Sequence, residues 1–157
     1  MLNKIYIPLL SFLPVSIILG NLLTNLNIFL IILIMLFSCL KDNNWNWTKD
    51  KYFKILIFFY IYLVLNSTYN YFIEKSYGFD GLIRSVGFIK FVLLAFSFNV
   101  LIIKENELKK IFLFWLLVLV IVILDVFFEL YFGFNSLGFK SLDSTRIVSF
   151  FYDENVV

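Results

Sequence analysis

Five charged residues stand where charge is costly or conspicuous. Lys90 interrupts the apolar run SVGFIKFVLLAF, Arg84 lies just ahead of that run, and Asp125 and Glu129 fall in LDVFFELYF. Arg146 belongs to the polar tail that follows. Ionisable side chains inside a membrane-spanning segment pair with one another or line a polar cavity, so Lys90, Asp125 and Glu129 are candidates for function. Cations of this kind suit an anionic headgroup or a pyrophosphate, and a guanidinium such as Arg146 donates to phosphate bidentately and stays charged. The alternatives are structural. The intramembrane charges can simply neutralise each other and fix helix register, and Arg146 can anchor the chain to anionic lipid headgroups. The chain has no histidine, which removes the commonest metal ligand and the commonest neutral-pH base. Its single cysteine, Cys39, sits in an apolar run and forms neither an intrachain disulfide nor a CxxC site. No metal or other cofactor is expected.

The elements that must position these residues are apolar helices. Of the 157 residues 62% are hydrophobic and only 15% charged, with a mean hydropathy of +0.93; a soluble domain carries about 25% charged residues. A net charge of +2 argues against a nucleic-acid partner. The runs predict an all-α, polytopic transmembrane bundle of five spans over about 5–20, 26–40, 52–68, 82–103 and 111–132, with 133–157 beginning an outward loop. Pro14 should kink the first span, which membrane helices tolerate when a neighbour satisfies the freed carbonyl. Asn21 to Asn27 are uncharged and turn-like, KDNNWNWTKDK (41–51) reads as an aqueous loop with Trp45 and Trp47 at headgroup level, and Gly133 should end the last span. The abundant Phe and Leu read as lipid-facing bulk. The sequon Asn66-Ser67-Thr68 lies too close to the membrane to accept a glycan.

Orientation follows from the Lys and Arg residues, which concentrate on the cytoplasmic side of short loops. With the N-terminus cytoplasmic, the inner set is Lys4, Lys41, Lys49, Lys51, Lys54, Lys104, Lys109 and Lys110, against Lys75, Arg84, Lys140 and Arg146 outside. The fourth span then enters from the outer face and the fifth leaves through it. At about 1.5 Å per residue, Lys90 lies about 12 Å and Asp125 about 10 Å below that face. Two stacked layers are therefore expected, Lys90 with Asp125 deeper and Arg84 with Glu129 above, Glu129 being one helical turn from Asp125.

The stretch LDVFFELYFGFNSLGFKSLDSTRIVSFFYDENVV resembles a pattern of the O-antigen ligase/polymerase superfamily of bacterial inner-membrane proteins. There, an Asp near the end of a span is followed by Gln four residues on, then Gly, Asn or Asp, a second Gly, and Arg-x-x-Gly-x-Phe with an acidic residue. The matching positions are Asp125, Glu129, Gly133, Asn135, Gly138, Arg146, Ser149, Phe151 and Asp153. Glu129 stands for Gln and Ser149 for Gly. SVGFIKFVLLAF is similar to the preceding span of the family, with Lys90 for Arg. The resemblance implies transfer of a glycan from an undecaprenyl-pyrophosphate carrier at the outer face of the inner membrane. Arginines would hold the pyrophosphate, and no metal would be needed. Asp153 and Glu154 read as a solvated loop.

The motif breaks off near Val157, so the chain is expected to be the front part of a longer membrane glycosyltransferase, inactive by itself. Partners would be membrane lipids and the lipid-linked glycan. The competing expectation is a non-enzymatic multi-pass membrane protein, either a transporter half using the Lys90/Asp125 layer as an ion path or an inactive remnant. No internal repeat supports the transporter.

Overall fold

A computed structural model describes residues 5–73, 78–101, 105–138 and 149–151. Among these residues every regular element is helical: α1 (Tyr6–Ser11), α2 (Leu13–Ile18), α3 (Asn21–Asp42), α4 (Lys51–Ile73), α5 (Gly78–Gly87), α6 (Ile89–Leu101) and α7 (Glu105–Phe132), with short 3₁₀ turns at Asn46–Lys49 and Ser149–Phe151. Among the described residues four helices, where five spans were expected, are long and apolar enough to cross a membrane: α3, α4, α5 and α6 taken together (Phe79–Leu101), and α7. That is the helix inventory of a multi-pass membrane protein.

The first apolar run is the exception, and Pro14 explains it. The backbone passes from α1 to α2 through Phe12, whose N–H still reaches the Pro8 carbonyl at 2.9 Å. Pro14 has no N–H to give the Leu10 carbonyl four residues back. The indole N–H of Trp115 on α7 donates to that carbonyl instead, at 2.9 Å. About 13 helical residues from Tyr6 to Ile18 span only about 20 Å, short of the 30 Å hydrocarbon core.

Gly20 ends α2 with φ of 109°, a conformation that excludes most side chains, and α3 starts immediately at Asn21. The turn-like appearance of 21–27 therefore misleads: these residues form the first turns of α3. Their polar side chains serve the kinked segment. Thr24 Oγ1 donates to the Ser16 carbonyl at 2.9 Å, and the buried Asn27 amide donates to the Leu9 carbonyl at 3.2 Å. Tyr6 OH donates to Glu107 Oε2 at 2.5 Å near the start of α7. Glu107 falls in the charged stretch KENELKK, expected as a loop, whose residues from Glu105 onward are helical.

The chain divides into two compact units. One comprises Met1–Asn27 with Lys104–Val157, the other Ile28–Ile103. In the first, α1 and α2 pack on α7, as does the 3₁₀ turn at Ser149–Phe151. In the second, α4 packs chiefly on α5 and also on α6 and the 3₁₀ turn at Asn46–Lys49. Trp47 meets Phe53 and Phe96 there, with ring centroids 5.0 and 6.0 Å away, and Phe53 meets Phe96 edge-on at 5.0 Å. Such edge-to-face geometry suits the aromatic quadrupole. α4 extends to Ile73, five residues past the expected end of the third span.

Candidate functional site

The site is built on the last two turns of α7. Asp125 and Glu129 share one face of the helix, and both are buried, at 4% and 6% exposure. Gly133 stops the helix in the left-handed region, φ 74°, where its N–H reaches the Glu129 carbonyl at 2.8 Å. That is an αL helix end, and the expected accompanying apolar contact is present. Phe134, just past the glycine, sits against Phe128 and Phe132 at 5.7 and 6.0 Å.

Turned back in this way, the chain hydrogen-bonds to the acids it has just left. The Ser136 N–H donates to Asp125 Oδ1 at 2.8 Å. Asn135 shapes the intervening turn: its Oδ1 accepts from Leu137 N–H at 3.2 Å and its carbonyl from Gly138 N–H at 2.9 Å. Gly138 takes φ 84°, again a glycine conformation. On the far side of 139–148, Ser149 returns to the same acids. Its N–H donates to Glu129 Oε2 at 2.5 Å and its hydroxyl to Asp125 Oδ2 at 2.7 Å, while its carbonyl accepts from Asn135 Nδ2 at 2.6 Å. Ser149 is 2% exposed and holds φ at 48°, unusual for a residue with a Cβ.

The result is one buried polar cluster in which both oxygens of Asp125 accept from the turn. Hydrogen bonds to an ionised acceptor are short and strong, and they offset part of the cost of placing carboxylates in apolar surroundings. Beside the cluster lies an open cleft of about 260 Å³ lined by Ile121, Leu124, Asp125, Phe128, Ser136 and Phe150. Its wall is apolar except for the acid and the turn. Among the described residues no group of three or more metal-ligating side chains forms.

The structure thus joins five positions that the sequence singled out: Asp125, Glu129, Asn135, Ser149 and the helix-ending Gly133. Ser136 is an addition, since it contributes a backbone N–H that any residue type carries. Arg84 and Lys90 belong to the other unit. Arg84 is exposed in the last turn of α5. Lys90 is half-buried at the start of α6, two residues past a break at Phe88, with Nζ 5.1 Å from the centroid of the Phe91 ring. Tight bonds from Phe88 N–H to the Ser85 carbonyl (3.2 Å) and from Phe91 N–H to the Phe88 carbonyl (2.9 Å) mark that break. Arg146 and Asp153 lie outside the described residues.

Comparison with known proteins returns no matching family model, no matching curated protein and no matching solved structure.

Proposed function

We propose that this chain is part of a membrane glycosyltransferase of the O-antigen ligase/polymerase kind, acting on undecaprenyl-pyrophosphate-linked glycan at the outer face of a bacterial inner membrane. The observation that supports it is the Ser149 anchor. The family pattern has glycine at this position, and the backbone here takes a left-handed conformation that glycine adopts freely. The residues that the resemblance names in series along the sequence are also hydrogen-bonded to one another.

In this reading Asp125 and Glu129 hold both ends of the 139–148 segment, and Arg146, three residues before the Ser149 anchor, binds the diphosphate. A guanidinium would stabilise the charge that grows on the diphosphate as it departs. Lys90 and Arg84 are the further cationic candidates.

The test is equilibrium binding of a short polyprenyl pyrophosphate, with the corresponding monophosphate as control, to the full chain in lipid nanodiscs. Preference for the pyrophosphate that falls at least tenfold in Arg146→Ala is the expected result. Equal binding of both ligands, or an unchanged Arg146→Ala variant, would overturn it. A non-enzymatic multi-pass membrane protein is the second reading, favoured by the engagement of both Asp125 oxygens in holding a turn. It expects no pyrophosphate preference.

A further inference from the structure

α4 has two unlike faces. Phe53, Leu56, Ile57, Tyr60, Leu63 and Val64 are half-buried, and the Tyr60 hydroxyl donates to the Val86 carbonyl of α5 at 3.4 Å. The opposite face is open. Along it run Ile55, Phe59, Tyr62, Asn66, Tyr69 and Ile73, every one of them exposed, with Phe59 at the edge of the stripe where its ring also meets Phe88 edge-on at 6.3 Å. Their spacing is four, three, four, three, four, the 3.5-residue repeat of a helix seam that packs against a second helix in a left-handed crossing.

Asn66 is what makes this stripe more than lipid-facing bulk. Lys54 is the last charge before the apolar run, and about 20 residues beyond it cross the hydrocarbon core, which carries the span to about Ile73. Asn66 then lies about 10 Å inside the far boundary. Its carboxamide has two donors and an acceptor oxygen, and acyl chains offer neither donor nor acceptor. Side-chain amides at such depths are met by hydrogen bonds across a helix pair.

We propose that this stripe is the contact surface between two copies of the chain, paired in parallel about a two-fold axis along the membrane normal, with the Asn66 amides bonded to each other. Symmetry selects this occupant. Such an axis places each residue opposite its own copy at the same depth, and a carboxamide is complementary to itself because it both donates and accepts. Tyr62 and Tyr69 lie one turn to either side on the seam, so the pair of amides is enclosed by rings. A single asparagine in an apolar seam also fixes register, since any slip leaves the amides unpaired. The inference rests on the membrane placement of α4 and is independent of the glycan-transfer reading.

The test uses the full chain in lipid bilayers on a Cys39→Ser background. Single cysteines at Phe59, Tyr62, Asn66 and Tyr69 should crosslink between copies under mild oxidation, whereas cysteines at Tyr60 and Val64 should not. In parallel, dimerisation is followed by energy transfer between labelled copies at decreasing protein-to-lipid ratio. Asn66→Leu should weaken the dimer at least tenfold and Asn66→Gln should keep it, with helix content by circular dichroism unchanged in both. A chain that stays monomeric at every ratio, crosslinking without the seam periodicity, or an Asn66→Leu dimer as strong as the parent overturns the proposal. Loss of dimerisation would leave pyrophosphate binding to be judged separately.

Discussion

Asp125 and Glu129 invite opposite interpretations that single substitutions separate. If they act as hydrogen-bond acceptors for the turn, the amide oxygen of Gln can replace the Glu129 carboxylate, because Ser149 N–H needs an acceptor and not a charge. Glu129→Gln should therefore unfold within about 1 kcal/mol of the parent, and Glu129→Ala should lose about 1–3 kcal/mol by stranding a buried N–H. Denaturant unfolding in detergent, followed by circular dichroism, reads both. An ion-pair role predicts the reverse, with Gln as damaging as Ala. Ser149 offers a second separation. Ser149→Ala loses the hydroxyl bond to Asp125 and keeps the left-handed strain, whereas Ser149→Gly loses the same bond but relieves about 1 kcal/mol of strain. The glycine variant should be the more stable of the two. Both acids were visible in the sequence because charge inside an apolar run is rare. Ser149 was named by its place in the pattern, but the bonds themselves were not legible, because the backbone N–H groups of Ser136 and Ser149 leave no mark in residue type.

At the level of elements, the α1–α2 kink is the place where local chemistry and tertiary packing meet. Pro14 frees the Leu10 carbonyl and Trp115 takes it up. Trp115→Phe should cost about 1–3 kcal/mol, because the carbonyl loses its indole donor. Adding Pro14→Ala should return much of that loss by restoring an N–H four residues on, and the coupling between the two sites is read from a double-mutant cycle. Additive effects would mean that the indole acts by packing alone. Gly133 gives a simpler expectation. A Cβ there meets nothing within 4 Å, so the cost of Gly133→Ala is conformational only, about 1 kcal/mol, and Gly133→Asn should cost less since Asn tolerates the left-handed region. The existence of the long helices was legible from the apolar runs, as were the kink at Pro14 and the stop at Gly133. The ends were not. Asn21 to Asn27 look like a turn, yet Thr24 and Asn27 are helical residues whose side chains bond to carbonyls eight and eighteen residues earlier. KENELKK looks like a loop because it is charged, but helical geometry continues beyond an apolar stretch wherever residues such as Glu and Lys support it.

For the whole molecule the charge distribution makes a prediction about sidedness. Eight of the cations fall in the stretches assigned to the inner face, so the 133–138 turn and everything anchored to it should face the opposite compartment from the α3–α4 connection. Leu137 and Asn44 are exposed and sit one in each stretch, and the native Cys39 is buried, so labelling background should be low. In intact cells or sealed right-side-out vesicles, Leu137→Cys should react with a membrane-impermeant maleimide, and Asn44→Cys should react only after permeabilisation. Neutralising the inner set at Lys41, Lys49, Lys51 and Lys54 should weaken this preference and produce a labelled fraction at position 44, because orientation is set by cation bias and not by net charge. The fold constrains how the outcome is read. α7 runs without a break from Glu105 to Phe132, so its two ends lie about 40 Å apart, more than the thickness of the hydrocarbon core. Tyr6 and Glu107 are bonded at one end and Asp125 and Ser149 at the other. If Leu137→Cys and Asn44→Cys label from the same side, one of the three spans between them, α4, α5–α6 or α7, does not cross the bilayer, and the outward placement of Arg146 falls with it.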